Sequence, residues 1–308
     1  MASPLDVAVI GLGSMGLGMA LSLVRAGHRV AGCDIAEPGR AALAAAGGHA
    51  AATPAEAARG ASAALVVVVN AAQTEAVLFG PEGAAATLAP GALIVSSATM
   101  APADARRFAA RAEEAGFHYL DAPISGGAAK AEAGALTVMA SGSPAAFEAA
   151  RPLLSAIAAT VHELGGEAGI GASFKIVNQL LAGVHIAAAC EAMVFAKSLG
   201  LDLDRVFEVI SQSAGTSWMF ENRVPHILEG DYRPKSAVSI FTKDLGIVSD
   251  IGRSGSFPLP IAASALQLFV ATAAAGMARD DDASVARLYA RIAGLDLPGE
   301  TPPGTETR

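Results

Sequence analysis

The stretch Asp6-Val7-Ala8-Val9-Ile10-Gly11-Leu12-Gly13-Ser14-Met15-Gly16 decides the fold. An apolar run feeds a G-x-G-x-x-G loop, and a helical run to Gly27 follows. That strand–loop–helix context separates a dinucleotide fingerprint from a chance spacing in a chain with 33 glycines. Gly11 permits a tight turn, Gly13 lets a pyrophosphate approach the backbone, Gly16 lets helix and strand pack closely, and the helix N-terminus supplies oriented N–H donors. Gly11, Leu12, Gly13, Ser14, Met15 and Gly16 are therefore read as cofactor-binding. Asp34 lies 18 residues after Gly16, at the end of a second apolar run, where a carboxylate accepts both hydroxyls of an adenosine ribose. The same carboxylate repels a 2′-phosphate, so NAD is expected over NADP. Arg40, a few residues on, is the base that would soften this preference.

Outward from this loop, short apolar runs alternate with Ala-rich amphipathic segments as far as about His162, the signature of a parallel sheet covered by helices. The expected strands are Leu5–Ile10, Arg29–Asp34, Ala63–Val69, Gly91–Ser96, His118–Leu120 and Leu136–Ser141. Leu65-Val66-Val67-Val68-Val69 is continuous rather than alternating, as in a central strand buried on both faces. After Glu163-Leu164-Gly165-Gly166 the period becomes helical, with helices expected over about 171–199, 204–213, 240–254, 260–275 and 282–292. The expected fold is an α/β N-terminal Rossmann-type domain (residues 1–164) plus an all-α C-terminal domain built around a long helix (165–296). A Pro-, Gly- and Thr-rich tail, 297–308, is expected to be disordered.

Composition narrows the function. The chain has 308 residues, is 53% hydrophobic and 16% charged, and has mean hydropathy +0.46, so it can bury large cores. Its net charge is −8 and its bases are scattered, which argues against a nucleic-acid partner. Cys33 and Cys190 cannot form a disulfide framework and read as buried small hydrophobes. No signal-peptide pattern opens the chain, so a cytoplasmic location is expected. The apolar stretch from Ile176 to Ala196 carries Asn178, Gln179, His185 and Glu191, which are costly in lipid; it reads as a core helix, not a membrane span.

Three further clusters carry polar chemistry. Ser96-Ser97-Ala98-Thr99 and Asp121-Ala122-Pro123-Ile124-Ser125-Gly126-Gly127 each follow a strand, where ligands of open α/β sheets bind. Ser125 with the Gly126 and Gly127 amides makes either an ordinary turn or a nest of donors suited to a carboxylate. Lys175 and Asn178 stand at i and i+3, on one helix face among core-like residues. A buried Lys is rare without a purpose, and near the positive end of a helix and an oxidised nicotinamide it loses proton affinity and becomes a usable general base. Lys243-Asp244, taken alone, is an ion pair inside an apolar helix.

Taken together, the Gly11–Gly16 loop, the Asp121–Gly127 segment with Ala131 and Gly134, the Gly169–Asn178 run and Lys243-Asp244-Leu245 resemble the β-hydroxyacid dehydrogenases over about residues 5–295. The resemblance implies NAD-dependent oxidation of the hydroxyl of a small hydroxy acid, with Lys175 as catalytic acid/base. Ser125, Gly126, Gly127, Asn178 and Asp244 would be substrate-binding; Asn70, Thr99 and Lys243 would join the cofactor site. It also implies a homo-oligomer, dimer or tetramer, and neither a nucleic-acid nor a membrane partner. Segments 178–185 and 217–223 look most like the branch of that family that oxidises L-threonate to 2-oxo-tetronate. The alternatives are 3-hydroxyisobutyrate oxidation and tartronate semialdehyde reduction. Ser236, eight residues before Asp244, replaces a pocket-closing Phe of the tartronate semialdehyde reductases, and is expected to leave a roomier, wetter pocket.

Overall fold

The computed structural model describes residues 4–299. Residues up to Ile176 form one compact unit and those from Val177 a second. The first holds strands β1 (Asp6–Ile10), β2 (Arg29–Cys33), β3 (His49–Ala51), β4 (Ala63–Val66), β5 (Leu93–Ser96), β6 (His118–Asp121), β7 (Ile124–Ser125), β8 (Leu136–Gly142) and β9 (Ala158–Glu163). Between them run helices α1 (Ser14–Arg25), α2 (Glu37–Ala45), α3 (Pro54–Ala57), α4 (Ala71–Phe79), α5 (Pro102–Glu114), α6 (Gly127–Glu132) and α7 (Pro144–Ile157). The strand order is β3-β2-β1-β4-β5-β6-β8-β7, with β9 also pairing β8. Alternate residues of the central strands enter two cores: Val7, Val9, Leu65 and Val95 on one face, Ala8, Ile10, Val66 and Ile94 on the other. Such double burial is why these segments read as unbroken apolar runs.

Register places the functional loops. Ile10 pairs with Cys33 on one side and Val66 on the other, and Val66 with Ser96, which pairs with Asp121. The carboxyl ends of β1, β2, β4, β5 and β6 are therefore level, and the loops bearing Gly11, Asp34, Thr99 and Asp121 leave the sheet along one edge.

The sheet departs from the expected strand set in particular places. β4 stops at Val66, because Val67 and Val68 pack against the Gly11 turn, where a side chain on Gly11 would strike the Val67 carbonyl. β8 runs antiparallel to β6 and β7; the short connection through α6 cannot make the long crossover that a parallel neighbour needs. β3 and β9 are edge strands of low apolar contrast, and β7 has two residues, so none carries the alternation that would announce it.

Helix α8 (Ile170–Ser198) begins in the first unit and continues through the second. The unit boundary thus falls at 176/177, not at 164/165, because the first turn of α8 is bonded into the sheet. Asp121 Oδ2 accepts from the Gly169 and Ala172 amides (2.8 Å each) and from the Ser141 hydroxyl (3.3 Å). Ser141 Oγ in turn accepts from the Gly171 amide at 2.9 Å. A side chain on Gly171 would strike the Met139 carbonyl, so the helix could not seat this deeply. Burial pushes the Asp121 carboxyl up from the usual carboxylate range, and the amide and hydroxyl donors work against that shift.

The second unit is helical: after α8 come α9 (Leu203–Ser211), α10 (Trp218–Glu229), α11 (Val238–Ser254), α12 (Pro260–Thr272) and α13 (Val285–Ala293). Helix α10 was not foreseen; Pro225 breaks its pattern, while Ser217 caps it by accepting from the Phe220 amide at 3.0 Å. Ile186, Cys190, Met193, Val224, Phe241, Leu245 and Phe269 form its core. Leu297 belongs to that core, so the segment through Gly299 is packed rather than part of a disordered tail; residues 300–308 lie outside the described residues. Buried polar pairs tie α10 to the segment before α13: Arg223 donates to both oxygens of Asp282 (2.6 and 3.1 Å), and His226 Nδ1 lies 2.8 Å from Asp281. Helix α8 and the stretch Pro260–Met277 have a length and apolarity compatible with a membrane span, but α8 bears Lys175, Asn178, Gln179 and Glu191 and supplies the core just described.

Replacing Asp121 by Ala leaves two buried amides without an acceptor, each worth about 1–3 kcal/mol. Denaturant unfolding of Asp121→Ala should show a loss of about 3 kcal/mol, and Asp121→Asn, which keeps an acceptor, about 1 kcal/mol. Equal stability of Asp121→Ala and wild type would refute the anchoring role.

Candidate active site

The dinucleotide end is built from backbone. Gly11 adopts φ +95, and a side chain on Gly16 would strike the Gly11 carbonyl, so the loop closes only with glycine at both positions. Gly13 caps α1 without a side-chain acceptor for the first amides, and nothing occupies the space where its side chain would stand. Gly13 and Ser14 are exposed, so those amides face an open cradle suited to a pyrophosphate. Asp34 is fixed by the amides of Leu12 (2.6 Å to Oδ2) and Ala36 (2.7 Å to Oδ1). Arg40 pairs with Glu37 on the first turns of α2. Ile35, next to Asp34, is fully exposed; sequence reasoning passed over it, although a large apolar residue after a ribose-binding carboxylate is a usable signal.

Asn70 caps α4, its Oδ1 accepting from the Gln73 amide at 2.9 Å, while Gln73 Oε1 accepts from the Val69 amide. Thr99 is half-buried beyond β5. Ser125 closes β7, and Gly126 (φ +138) and Gly127 (φ +77) take backbone conformations that other residues avoid as they open α6. Helix α6 is pinned to α1: the Ser22 hydroxyl bonds the Ala131 and Glu132 carbonyls, both at 3.1 Å, and Gly18 allows Ala131 against the helix backbone. The glycine loop and the Ser125-Gly126-Gly127 loop are thereby held by one helix pair.

Lys175 is 8% exposed, and its Nζ donates to the Ile124 carbonyl at 2.8 Å. That carbonyl immediately precedes Ser125, so the Lys and the nest of donors are neighbours, as their spacing along the chain could not reveal. Cys33 and Cys190 are both buried, and burial pushes the Cys33 thiol up to about 11, which leaves it inert at neutral pH.

In the second unit Asn178, Gln179, Lys243 and Asp244 come together. Asn178 Nδ2 donates to Gln179 Oε1 at 2.9 Å, Gln179 Nε2 donates to Asp244 Oδ2, and Lys243 Nζ lies 2.7 Å from Asp244 Oδ1. Asp244 is fully buried, so this pair is not the solvated helix ion pair that adjacency alone suggests. Ser236 is half-buried: its carbonyl accepts from the Asp282 amide at 2.8 Å and its hydroxyl bonds the Asp282 carboxyl.

Residues 6–166 match the family model for the NAD-binding domain of 6-phosphogluconate dehydrogenase, and residues 169–289 that described as NAD-binding of NADP-dependent 3-hydroxyisobutyrate dehydrogenase. The chain is 50% identical to the L-threonate dehydrogenase of Cupriavidus necator, over 96% of this chain and 98% of that protein. It is 48% identical to that of Escherichia coli K12, over 96% and 98%. Among solved structures, the 3-hydroxyisobutyrate dehydrogenase of Salmonella typhimurium has TM-score 0.87 at 47% identity, covering 92% of this chain and 99% of that one. The Mycobacterium tuberculosis 3-hydroxyisobutyrate dehydrogenase with L-serine has TM-score 0.80 at 30% identity, covering 93% and 99%. With the glycine loop, the fixed Asp34 and the buried Lys175 in place, the chain belongs to the β-hydroxyacid dehydrogenases, the NAD-dependent oxidoreductase family of 3-hydroxyisobutyrate dehydrogenase.

Proposed function

We propose that this hydroxyacid dehydrogenase oxidises L-threonate to 2-oxo-tetronate with NAD, using Lys175 as general acid/base. The observation that carries the mechanism is the buried Lys175 Nζ held on the Ile124 carbonyl, one residue from the Ser125-Gly126-Gly127 donors. The substrate assignment is supported by the named L-threonate dehydrogenases at 48–50% identity over nearly the whole chain.

The residues that would hold the dinucleotide are Gly11 to Gly16 at the pyrophosphate, Asp34 and Ile35 at the adenosine end, and Asn70, Thr99 and Lys243 toward the nicotinamide. When bound, the nicotinamide supplies a hydride acceptor. Ser125 and the glycine amides hold the carboxylate, which fixes the reacting carbon relative to Lys175. Lys175 takes the hydroxyl proton as the C–H bond gives up hydride, and returns it in the reverse direction. Asn178, one turn along α8, adds a contact to the substrate, with Asp244 behind it. Assembly into a homo-oligomer through the helical part is supported by Val177, Leu181 and Phe195, large exposed apolar side chains on one long helix.

NADH formation with L-threonate, D-threonate, D-glycerate, 3-hydroxyisobutyrate and 3-hydroxypropionate tests the substrate: L-threonate should give the highest kcat/KM, and preference for another acid would overturn that assignment. Lys175→Ala should lower kcat by about 10²–10⁴-fold. NAD affinity, read by calorimetry, should not move, and near-normal turnover in this variant would remove Lys175 from the chemistry. Asp34→Ala should cut the NAD-over-NADP ratio of kcat/KM by about 10²-fold, as both ribose hydroxyl contacts and the repulsion of a 2′-phosphate are lost. An unchanged ratio would mean that selectivity resides outside Asp34.

A further inference from the structure

Gln179 is buried at 7% exposure, one residue past Asn178 and within hydrogen-bonding reach of Asp244. An amide side chain can present either its oxygen or its NH₂ group, and its orientation is settled only by what it meets. Here one end of the file removes the choice. Asp244, fully buried with Lys243 Nζ at 2.7 Å, is a carboxylate that can only accept. Gln179 must therefore turn its NH₂ toward Asp244 and its oxygen toward Asn178. Asn178 must then turn its NH₂ toward Gln179, and its own Oδ1 is left as the outward group.

We infer that Gln179 is a positioning residue that relays the Asp244 charge into the orientation of Asn178, so that Asn178 offers the substrate a hydrogen-bond acceptor. An acceptor suits a hydroxyl and disfavours a carboxylate. With the reacting hydroxyl assigned to Lys175, the group that Asn178 takes is a second, non-reacting hydroxyl. The relay thus selects polyhydroxylated acids over acids with one hydroxyl, by polarity rather than by space. This rests on the reading of Asn178 as a substrate ligand given above.

The test is Gln179→Met, which fills a similar volume and removes both amide contacts. KM for L-threonate should rise about tenfold, the loss of one hydrogen bond, with kcat within about threefold. For 3-hydroxypropionate, which carries only the reacting hydroxyl, kcat/KM should stay within about twofold, which also reports that the variant folds. Equal losses on both acids, or an unmoved KM for L-threonate, would overturn the relay. If the wild type turns over other hydroxy acids but not L-threonate, the substrate assignment fails, and the relay is read without substrate. Side-chain amide resonances of the free protein should then show Asn178 shifted in Gln179→Met, and an unshifted Asn178 pair would overturn the relay.

Discussion

The carboxylate of Asp121 is the constraint on which the site depends. One oxygen accepts from the Gly169 and Ala172 amides and from Ser141, while Ser141 accepts from Gly171, so the first turn of a 29-residue helix is tied to two strands at once. A helix N-terminus carries orphan donors and a partial positive charge, and a buried anion satisfies both. Asp121 also ends β6, three residues before the Ile124 carbonyl that receives Lys175. The anchor, the carbonyl that receives Lys175 and the Ser125-Gly126-Gly127 loop are therefore parts of one short segment, and their separation along it is set by covalent geometry.

Small residues make the rest of the packing possible. Gly11 and Gly16 let the first loop turn within van der Waals contact of its own backbone, Gly18 admits Ala131, and Gly171 lets α8 press on β8. Each close approach brings together elements that carry different parts of the chemistry. The excess of Ala and Gly that raises the apolar fraction is thus a record of backbone proximity as much as of core volume.

What could be read from the residues divides along the range of the interaction. The G-x-G-x-x-G loop, Asp34 and the i, i+3 pair of Lys175 and Asn178 are local patterns, and the structure places the loop, the carboxylate and the helix where local physics requires. The anchoring bonds of Asp121 and Ser141 escaped notice because their partners lie 48–51 and 30 residues away, and no periodicity reports such a bond. The edge strands β3 and β9 escaped for another reason: His49-Ala50-Ala51 and the largely exposed Ala158–Glu163 lack the apolar contrast that marks a strand. The antiparallel turn of β8 follows from connection length, which the sequence does contain, but only once the ends of β7 and β8 are known.

Ser236 and Gln179 show how a side chain's partners decide its meaning. A small hydroxyl at 236 suggests a wetter pocket; in the structure that hydroxyl bonds the Asp282 carboxyl, which also accepts from Arg223. Gln179, which by type alone reads as an ordinary polar residue, instead stands between a buried carboxylate and the amide of Asn178. Gln179 donates to Asp244 and accepts from Asn178, so the contacts along this row run in one direction. In this chain the residue at 179 thus bears on how the Asn178 amide is held without itself adding volume beside Lys175.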